Sequence, residues 1–122
     1  MQLDLGNEKP IFLQFAEELE DDILKGIFEE ESQIPSTTEV AIKFKINPAT
    51  ANRGVNLLVD EGIIYKKRGI GMFVATGARE KIVSKRRSTF YENYILPLIK
   101  ESNNLKLPKN EILRMIEKGY GQ

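Results

Sequence analysis

The chain has 122 residues, of which 41% are apolar and 30% are charged, and its formal net charge is zero. It contains no cysteine and no histidine, which excludes disulfides, thiolate nucleophiles, a Ser-His-Asp relay and imidazole-ligated metals. This length suits one compact domain, or a small domain with an accessory element.

Several further classes of protein are disfavoured by what the sequence lacks. It has no run of about 18 apolar residues, so no membrane-spanning helix is predicted. The opening MQLDLGNEKP lacks the basic and then apolar layout of an export signal. There is no glycine-rich loop followed by lysine and no clustered aspartate motif. We therefore expect a cytoplasmic protein that is not an enzyme and that binds no cofactor or metal.

Charge is segregated along the chain despite the zero total. Residues 1–40 hold two lysines against eleven acidic residues, whereas residues 41–122 hold sixteen Lys and Arg against seven acidic residues. Eleven of these cations lie within residues 43–87, beside three acidic residues. A solvated surface with uneven charge would explain this pattern, and so would a cationic face for a polyanion such as nucleic acid.

The first predicted helix begins at Pro10 and ends at Gly26, with acidic residues between its apolar positions. The segment 27–34 is polar in its middle, which suits a brief strand or a turn. The apolar residues of this helix recur at helical spacing and predict one buried face; they are Ile11, Phe12, Phe15, Ala16, Leu19, Ile23 and Leu24.

A second, short helix is predicted from Ser36 to about Lys45. The Ser36 hydroxyl can accept a hydrogen bond from the amide of Glu39, whose carboxylate can reach back, which is the pattern of a capping box. The buried stripe of this helix is predicted to consist of Val40, Ala41 and Phe44.

A third helix is predicted after a turn of only a few residues. Asn47 is a suitable N-cap, Pro48 suits the first helical position, and Gly62 ends the helix. At 100 degrees per residue, one face is buried and consists of Ala51, Gly54, Val55 and Leu58. The opposite, outward face consists of Ala49, Asn52, Arg53 and Asn56. Two short helices across a tight turn indicate a helix-turn-helix, whose second helix reads the major groove.

A hairpin is predicted directly after the third helix. The runs 63–68 and 72–75 are typical of strands and flank Gly69, Ile70 and Gly71. The two glycines allow positive φ and a close approach to another surface. In this position the hairpin is a wing, whose cations would bind phosphate and whose tip would enter the minor groove.

These motifs together resemble the DNA-binding domain of the GntR family of bacterial transcription regulators. The likeness covers roughly residues 9–76. The Asn-Pro-x-Thr start of the third helix and the short tail resemble the YtrA-like branch. The segments that carry the resemblance are Pro10–Gln14, Ile34–Ala41, Asn47–Thr50 with Arg53, Glu61–Tyr65 and Arg68–Val74.

The resemblance implies a winged helix-turn-helix repressor that binds a palindrome as a homodimer, and that often controls a transporter operon. One position departs from the family, since Thr38 stands where arginine is common. The residues that fall where the family touches DNA are Ser36, Thr50, Arg53, Lys67, Arg68, Gly69 and Gly71.

The candidate DNA-binding residues are Ser36, Asn47, Thr50, Arg53, Lys66, Lys67, Arg68, Gly69 and Gly71. Most of them have a structural alternative. Arg53 could be a solvated helix arginine, and the wing cations could protect a strand edge against aggregation. Asn47 favours a capping role over base reading, and Ser36 can both cap its helix and donate to phosphate. Thr50 suits an anion at a helix N-terminus or a purely structural role.

The tail is predicted to hold a long helix over residues 79–102, kinked at Pro97, and a last helix that opens at Pro108. These helices carry more apolar surface than they can hide from each other, which favours a two-fold dimer. Alternatively, this apolar surface could pack on the first domain or line a ligand pocket. The candidate dimerisation residues are Phe90, Tyr91, Tyr94, Leu98, Ile112, Leu113 and Ile116.

The predicted fold class is mostly α with a small β-hairpin. Residues 1–76 form a winged helix-turn-helix domain, and residues 77–122 form a C-terminal helical dimerisation element of two helices. The predicted function is sequence-specific binding to a double-stranded DNA operator as a homodimer. A winged-helix module that binds protein instead of DNA, and a regulator with a small-molecule effector, remain alternatives. We also predict that Leu57 packs against another element, with the tail helix as one possibility.

Overall fold

The structure, a computed structural model, describes residues 9–122; the opening residues 1–8, which include most of the segment tested for an export signal, lie outside it. In chain order the described elements are α1 (Ile11–Leu24), β1 (Gln33–Ile34), α2 (Thr37–Phe44), α3 (Pro48–Asp60), β2 (Ile64–Lys67), β3 (Gly71–Val74), α4 (Ala78–Ser88), a π-helical turn (Tyr91–Ile95), α5 (Leu96–Asn104) and α6 (Lys109–Tyr120).

The three predicted helices of the first domain are confirmed within a residue or two of their expected ends. Helix α1 follows Pro10, and its inward face enters a hydrophobic core with the buried faces of α2 and α3. Leu57, half-buried, packs against this core, as predicted for contact with another element. The fully buried large apolar side chains, which define the centre of the core, are Phe15, Val55, Leu58, Ile63, Ile64, Val74 and Ile82.

The sheet is antiparallel and three-stranded, with the order β1, β3, β2. The predicted hairpin forms β2 and β3, with Tyr65 opposite Phe73 and Lys67 opposite Gly71. The brief strand expected before the second helix is β1, which pairs Ile34 with Met72. The structure therefore confirms a mostly helical fold with a small sheet.

The described residues form two compact units, 9–83 and Ser84–Gln122. The first unit extends past the wing because Ala78 and Ile82 of α4 are buried in its core. The functional boundary at residues 76 and 77 stays a prediction. Within residues 84–122 the only buried residue is Ser102, so the second unit has no apolar core of its own.

The helix predicted over residues 79–102 is divided in the structure, and the irregular turn lies directly before Pro97, where a kink was predicted. Helix α4 ends at Ser88, and a π-helical turn over Tyr91–Ile95 precedes α5. In this turn the amide of Leu96 donates to the carbonyl of Tyr91, five residues back. The next residue, Pro97, has no N–H and its ring crowds the preceding turn, which explains why the wider turn lies here. The last helix begins after Pro108, as predicted.

Candidate nucleic-acid interface

Helix α3 presents a polar face because of its start signal and its apolar spacing. The Asn47 side chain accepts a 2.7 Å hydrogen bond from the amide of Ala49, and Pro48 occupies the first turn. Asn47 is thus used as an N-cap. The residues of α3 that are buried are Ala51, Gly54, Val55 and Leu58, so the polar residues Asn52, Arg53 and Asn56 are exposed. Thr50, in the first turn, is half-buried.

Arg53 lies against an aromatic ring of the first helix. Its guanidinium carbon is 3.8 Å from the centroid of the Phe12 ring, within the range of a cation–π contact. No carboxylate of residues 9–122 pairs with this arginine. The two side chains border an open groove of about 540 Å³, which is lined by Phe12, Ala49, Asn52, Arg53, Asn56, Leu57 and Asp60. The sequence analysis missed this contact.

The start of α2 carries the predicted capping box. The Ser36 hydroxyl accepts a 3.1 Å hydrogen bond from the amide of Glu39, and the amide of Ser36 donates to the Glu39 carboxylate at 3.3 Å. Ser36 is exposed, so its cap role leaves it open to solvent. Thr38, the position that departs from the family, is also exposed on α2.

The wing ends in a tight turn that depends on glycine. The amide of Ile70 donates to the carbonyl of Lys67 at 3.0 Å, which closes the turn around Arg68 and Gly69. Gly69 has φ of +77° and Gly71 has φ of +147°, conformations that other residues rarely adopt. Arg68 and Ile70 are exposed at this tip.

The predicted wing cations do not form a single patch. Lys66 Nζ donates a 2.9 Å hydrogen bond to Oδ1 of Asn56, so it lies against the polar face of α3. Lys67 lies on the opposite face of the hairpin, as strand alternation requires. Its ammonium is 4.6 Å from the centroid of the Phe73 ring. Lys66 is therefore the cation that joins the wing to the face of Arg53.

Ser36 and Gly71 are brought together at a second groove, between the start of α2 and the wing turn. Gln33 spans this groove, since its Nε2 donates to the carbonyl of Ile70 at 3.1 Å. A Cβ on Gly71 would collide with that amide group. The groove measures about 380 Å³ and is lined by Gln33, Ile34, Ser36, Thr37, Glu39, Ile70, Gly71 and Met72.

A pair of glutamates that the sequence analysis missed joins the wing to α4. Glu31 accepts hydrogen bonds from the Tyr65 hydroxyl at 2.5 Å and from the amide and hydroxyl of Thr76 at 3.0 and 2.7 Å. Glu30 accepts from the amides of Gly77 and Arg79 at 2.9 and 3.2 Å, at the start of α4. A carboxylate is favourable at a helix N-terminus, so this glutamate pair fixes the start of α4 within the first unit.

The hydrogen bonds of Glu31 shift two pKa values, its own and that of Tyr65. The bond from Tyr65, followed by that from the Thr76 side chain, holds the pKa of Glu31 below its ordinary value. The same bond raises the pKa of Tyr65, because the protonated phenol is the donor. This site is stabilising only while the carboxylate is ionised and the phenol is protonated.

The tail leaves six of the seven predicted dimerisation residues exposed. Phe90 and Tyr94 are 53% and 64% exposed, and their ring centroids are 5.2 Å apart. Ile112 is half-buried. The other members of the predicted set are exposed, namely Tyr91, Leu98, Leu113 and Ile116. So large an apolar surface on a small unit is typical of an interaction face.

Two further features bear on the kind of site that this part of the chain can hold. Residues 9–122 contain no group of three or more acidic side chains arranged to hold a metal ion. The helices within this range are all too short or too polar to cross a bilayer.

A helix-turn-helix followed by a cationic hairpin defines the winged helix-turn-helix class of protein. Residues 13–74 match the family described as "Bacterial regulatory proteins, gntR family". The chain belongs to the gntR family of transcriptional regulators, as the resemblance implied.

Curated relatives are regulators of the same kind. YhcF of Bacillus subtilis, an HTH-type transcriptional regulator, is 30% identical over 117 residues, which cover 96% of this chain and 95% of YhcF. The repressor YtrA of the same organism is 29% identical over 92 residues, covering 75% of this chain and 71% of YtrA. The regulator YurK, also 29% identical, matches 75% of this chain but only 38% of its own length.

Solved structures of similar shape confirm the fold class. A GntR-family regulator from Bacteroides thetaiotaomicron has a TM-score of 0.72 and 37% identity, covering 92% of this chain and 97% of that chain. AraR(DBD) in complex with operator ORE1 has a TM-score of 0.55 and 31% identity, covering 62% of this chain and 94% of that chain. The second of these likenesses links the wing domain to a protein solved on an operator.

Proposed function

We propose that this protein is a repressor that binds operator DNA with α3 in the major groove and the wing along the adjacent backbone. The observation that carries the proposal is the contact of Lys66 with Asn56, which joins the wing to the polar face of α3. Arg53 is exposed on that same face, and an arginine side chain can read a guanine by two hydrogen bonds.

The remaining candidate residues have positioning or phosphate-binding roles in this proposal. Ser36 and the glycine turn border one groove, which suits a phosphate beside the start of α2. Lys67 and Arg68 bind phosphate oxygens from the outer face and the tip of the hairpin. Asn47 acts through the helix it caps, and Thr50 offers a first-turn hydroxyl to the backbone.

The proposal includes a homodimer on a palindromic operator. Residues 84–122 bury no large apolar side chain within one chain, so a second copy is the simplest cover for Phe90, Tyr94 and the other exposed residues. A two-fold dimer would place two copies of α3 about 34 Å apart, on successive turns of one DNA face.

Repression would follow from occupancy of the operator, without catalysis and in the cytoplasm. Any signal would act by changing the relative orientation of the two reading heads in the dimer. Control of a transporter operon is part of the proposal and rests on the resemblance to the YtrA-like branch alone.

Selection of bound fragments from random DNA, with purified full-length protein at one stated salt concentration, tests this function. The wild-type protein should enrich a palindromic sequence. Arg53→Ala should weaken the binding free energy for that sequence by about 1 to 3 kcal/mol. A wild-type protein that enriches no sequence, and whose binding depends weakly on salt, would contradict DNA binding and favour the protein-interaction alternative. If Arg53→Ala and wild type bind the selected sequence with equal affinity, Arg53 does not read a base.

A further inference from the structure

We propose that Phe12 is a positioning residue that holds the Arg53 guanidinium ready for one base, and that it thereby contributes to sequence selectivity. This inference rests on the proposed function, because it explains how the polar face of α3 would read DNA. Phe12 belongs to α1 and not to the helix-turn-helix, so it is remote in sequence from the residue it would serve.

The geometry of the pair supports stacking. The Arg53 guanidinium carbon lies 3.8 Å from the Phe12 ring centroid, and Phe12 is half-buried beside the groove that Arg53 also lines. A guanidinium is planar and can stack through its face while its N–H edge stays free to donate. The edge is what a guanine requires, since its O6 and N7 accept two parallel hydrogen bonds.

A glycine makes this approach of α1 to α3 possible. A Cβ on Gly54, the residue after Arg53, would lie 2.9 Å from the Phe12 carbonyl oxygen and 2.6 Å from Cδ2 of Phe15. Both distances are shorter than ordinary packing allows, so only glycine permits the observed spacing. The small residue at this position therefore serves the placement of the Phe12 ring under the arginine as well as core packing.

The pair differs from the wing's own cation–aromatic contact. Lys67 lies over Phe73 at 4.6 Å, but an ammonium has no plane to orient and binds phosphate as a point charge. Stacking at Phe12 should consequently affect which sequence is bound, whereas neutralising Lys67 should affect how tightly all sequences are bound. An arginine fixed before binding also loses less side-chain freedom when the complex forms.

The test uses the fragment selected by the wild-type protein and a scrambled fragment of equal length. Phe12→Leu keeps an apolar side chain without the ring face, and Phe12→Tyr keeps the face. We expect Phe12→Leu to lower the ratio of affinities for the two fragments about tenfold, with an unchanged salt slope, and Phe12→Tyr to keep the ratio. In Phe12→Leu/Arg53→Ala, loss of the ring should add nothing to the loss caused by Arg53→Ala.

A second readout does not need DNA. The side-chain protons of Arg53 should show an upfield ring-current shift in the NMR spectrum of the free protein, and Phe12→Leu should abolish it. Should Phe12→Leu fail to fold, Phe12→Met takes its place, since it keeps an apolar side chain without a ring face and should lose the same selectivity.

The outcomes separate this inference from the proposed function. Wild-type selectivity in Phe12→Leu, beside lost selectivity in Arg53→Ala, would overturn the role of Phe12 and leave DNA binding intact. Wild-type selectivity in Phe12→Met would overturn it equally. A wild-type protein that selects no fragment would overturn the proposed function and this inference with it.

Discussion

Lys66 in the wing donates a 2.9 Å hydrogen bond to Asn56 on α3, so the two elements proposed to meet DNA are joined by their own side chains. Asn56 lies three residues after Arg53, which places both on one side of the helix. The wing and the polar face of α3 therefore form one continuous surface.

Neutralising Lys67 should weaken binding to every DNA sequence alike. Each phosphate contact contributes about 0.9 to the slope of log affinity against log salt, so Lys67→Gln should flatten that slope by about one unit. Lys25→Gln makes the same change of charge at an exposed position after α1 and should leave the slope near the wild-type value. Fluorescence anisotropy across a salt series measures both. A loss confined to the selected operator would be inconsistent with a phosphate contact.

Placing a methyl group on Gly54 should destabilise the first unit. The added Cβ would lie 2.6 Å from a ring carbon of Phe15, which is fully buried, so the ring and α1 must shift. We expect Gly54→Ala to lower the free energy of unfolding by about 1 to 3 kcal/mol in urea titrations.

Gly119→Ala is the matched control for that substitution. Gly119 lies in α6, and a Cβ there would have no atom within 4 Å. Since alanine favours a helix over glycine, this variant should be unchanged or more stable by up to about 1 kcal/mol. Equal destabilisation by the two substitutions would show that close packing at Gly54 is not the cause.

The Glu31 site should make stability depend on pH at both ends of the range. The pKa of Glu31 is lowered in the fold, so its contribution is complete above the ordinary carboxyl range and is lost as pH falls through the lowered pKa. The pKa of Tyr65 is raised, so its contribution is complete below about pH 10 and is lost as pH rises through the raised pKa.

Urea midpoints measured from pH 3 to pH 11 test this site. Glu31→Gln should be less stable than wild type at neutral pH, and the difference should shrink towards acid pH. Tyr65→Phe removes the same hydrogen bond from the other side, so Glu31→Gln/Tyr65→Phe should cost less than the two single changes together. A difference between Glu31→Gln and wild type that stays constant down to pH 3 would argue against the proposed linkage.

A charge in the exposed apolar face of the tail should separate the dimer. Tyr94 is 64% exposed in one chain, and an aspartate there would have to be desolvated in an interface. Tyr94→Asp should sediment as a monomer at concentrations where the wild type sediments as a dimer. Ile27→Asp changes an equally exposed apolar residue outside the tail, 63% exposed, and should leave the dimer intact. A wild-type protein that is monomeric throughout would refute the dimer itself.

The elements that local signals specify could be predicted from the sequence. The capping box of Ser36 and Glu39, the N-cap of Asn47 and the glycine turn of the wing are each complete within a few residues. Apolar spacing also predicted which side of α3 is buried, because helical period alone decides that.

The features that were missed depend on contacts between distant segments. Glu31 meets Thr76 across 45 positions of sequence, and Phe12 meets Arg53 only because two helices pack closely at Gly54. A single glutamate or phenylalanine carries no local signal of such a partner. The π-helical turn before Pro97 was missed for another reason, since proline predicts a disturbance of the helix without specifying its form.

Hydroxyl-radical footprinting of the selected fragment, with full-length wild-type protein, tests the central claim most directly. If α3 and the wing form one reading surface that the tail duplicates, two protected backbone segments should appear about one helical turn apart, related by two-fold symmetry. Tyr94→Asp should reduce them to weak or single protection. A single protected segment with the wild-type protein, or none at concentrations that saturate the fragment, would contradict the account.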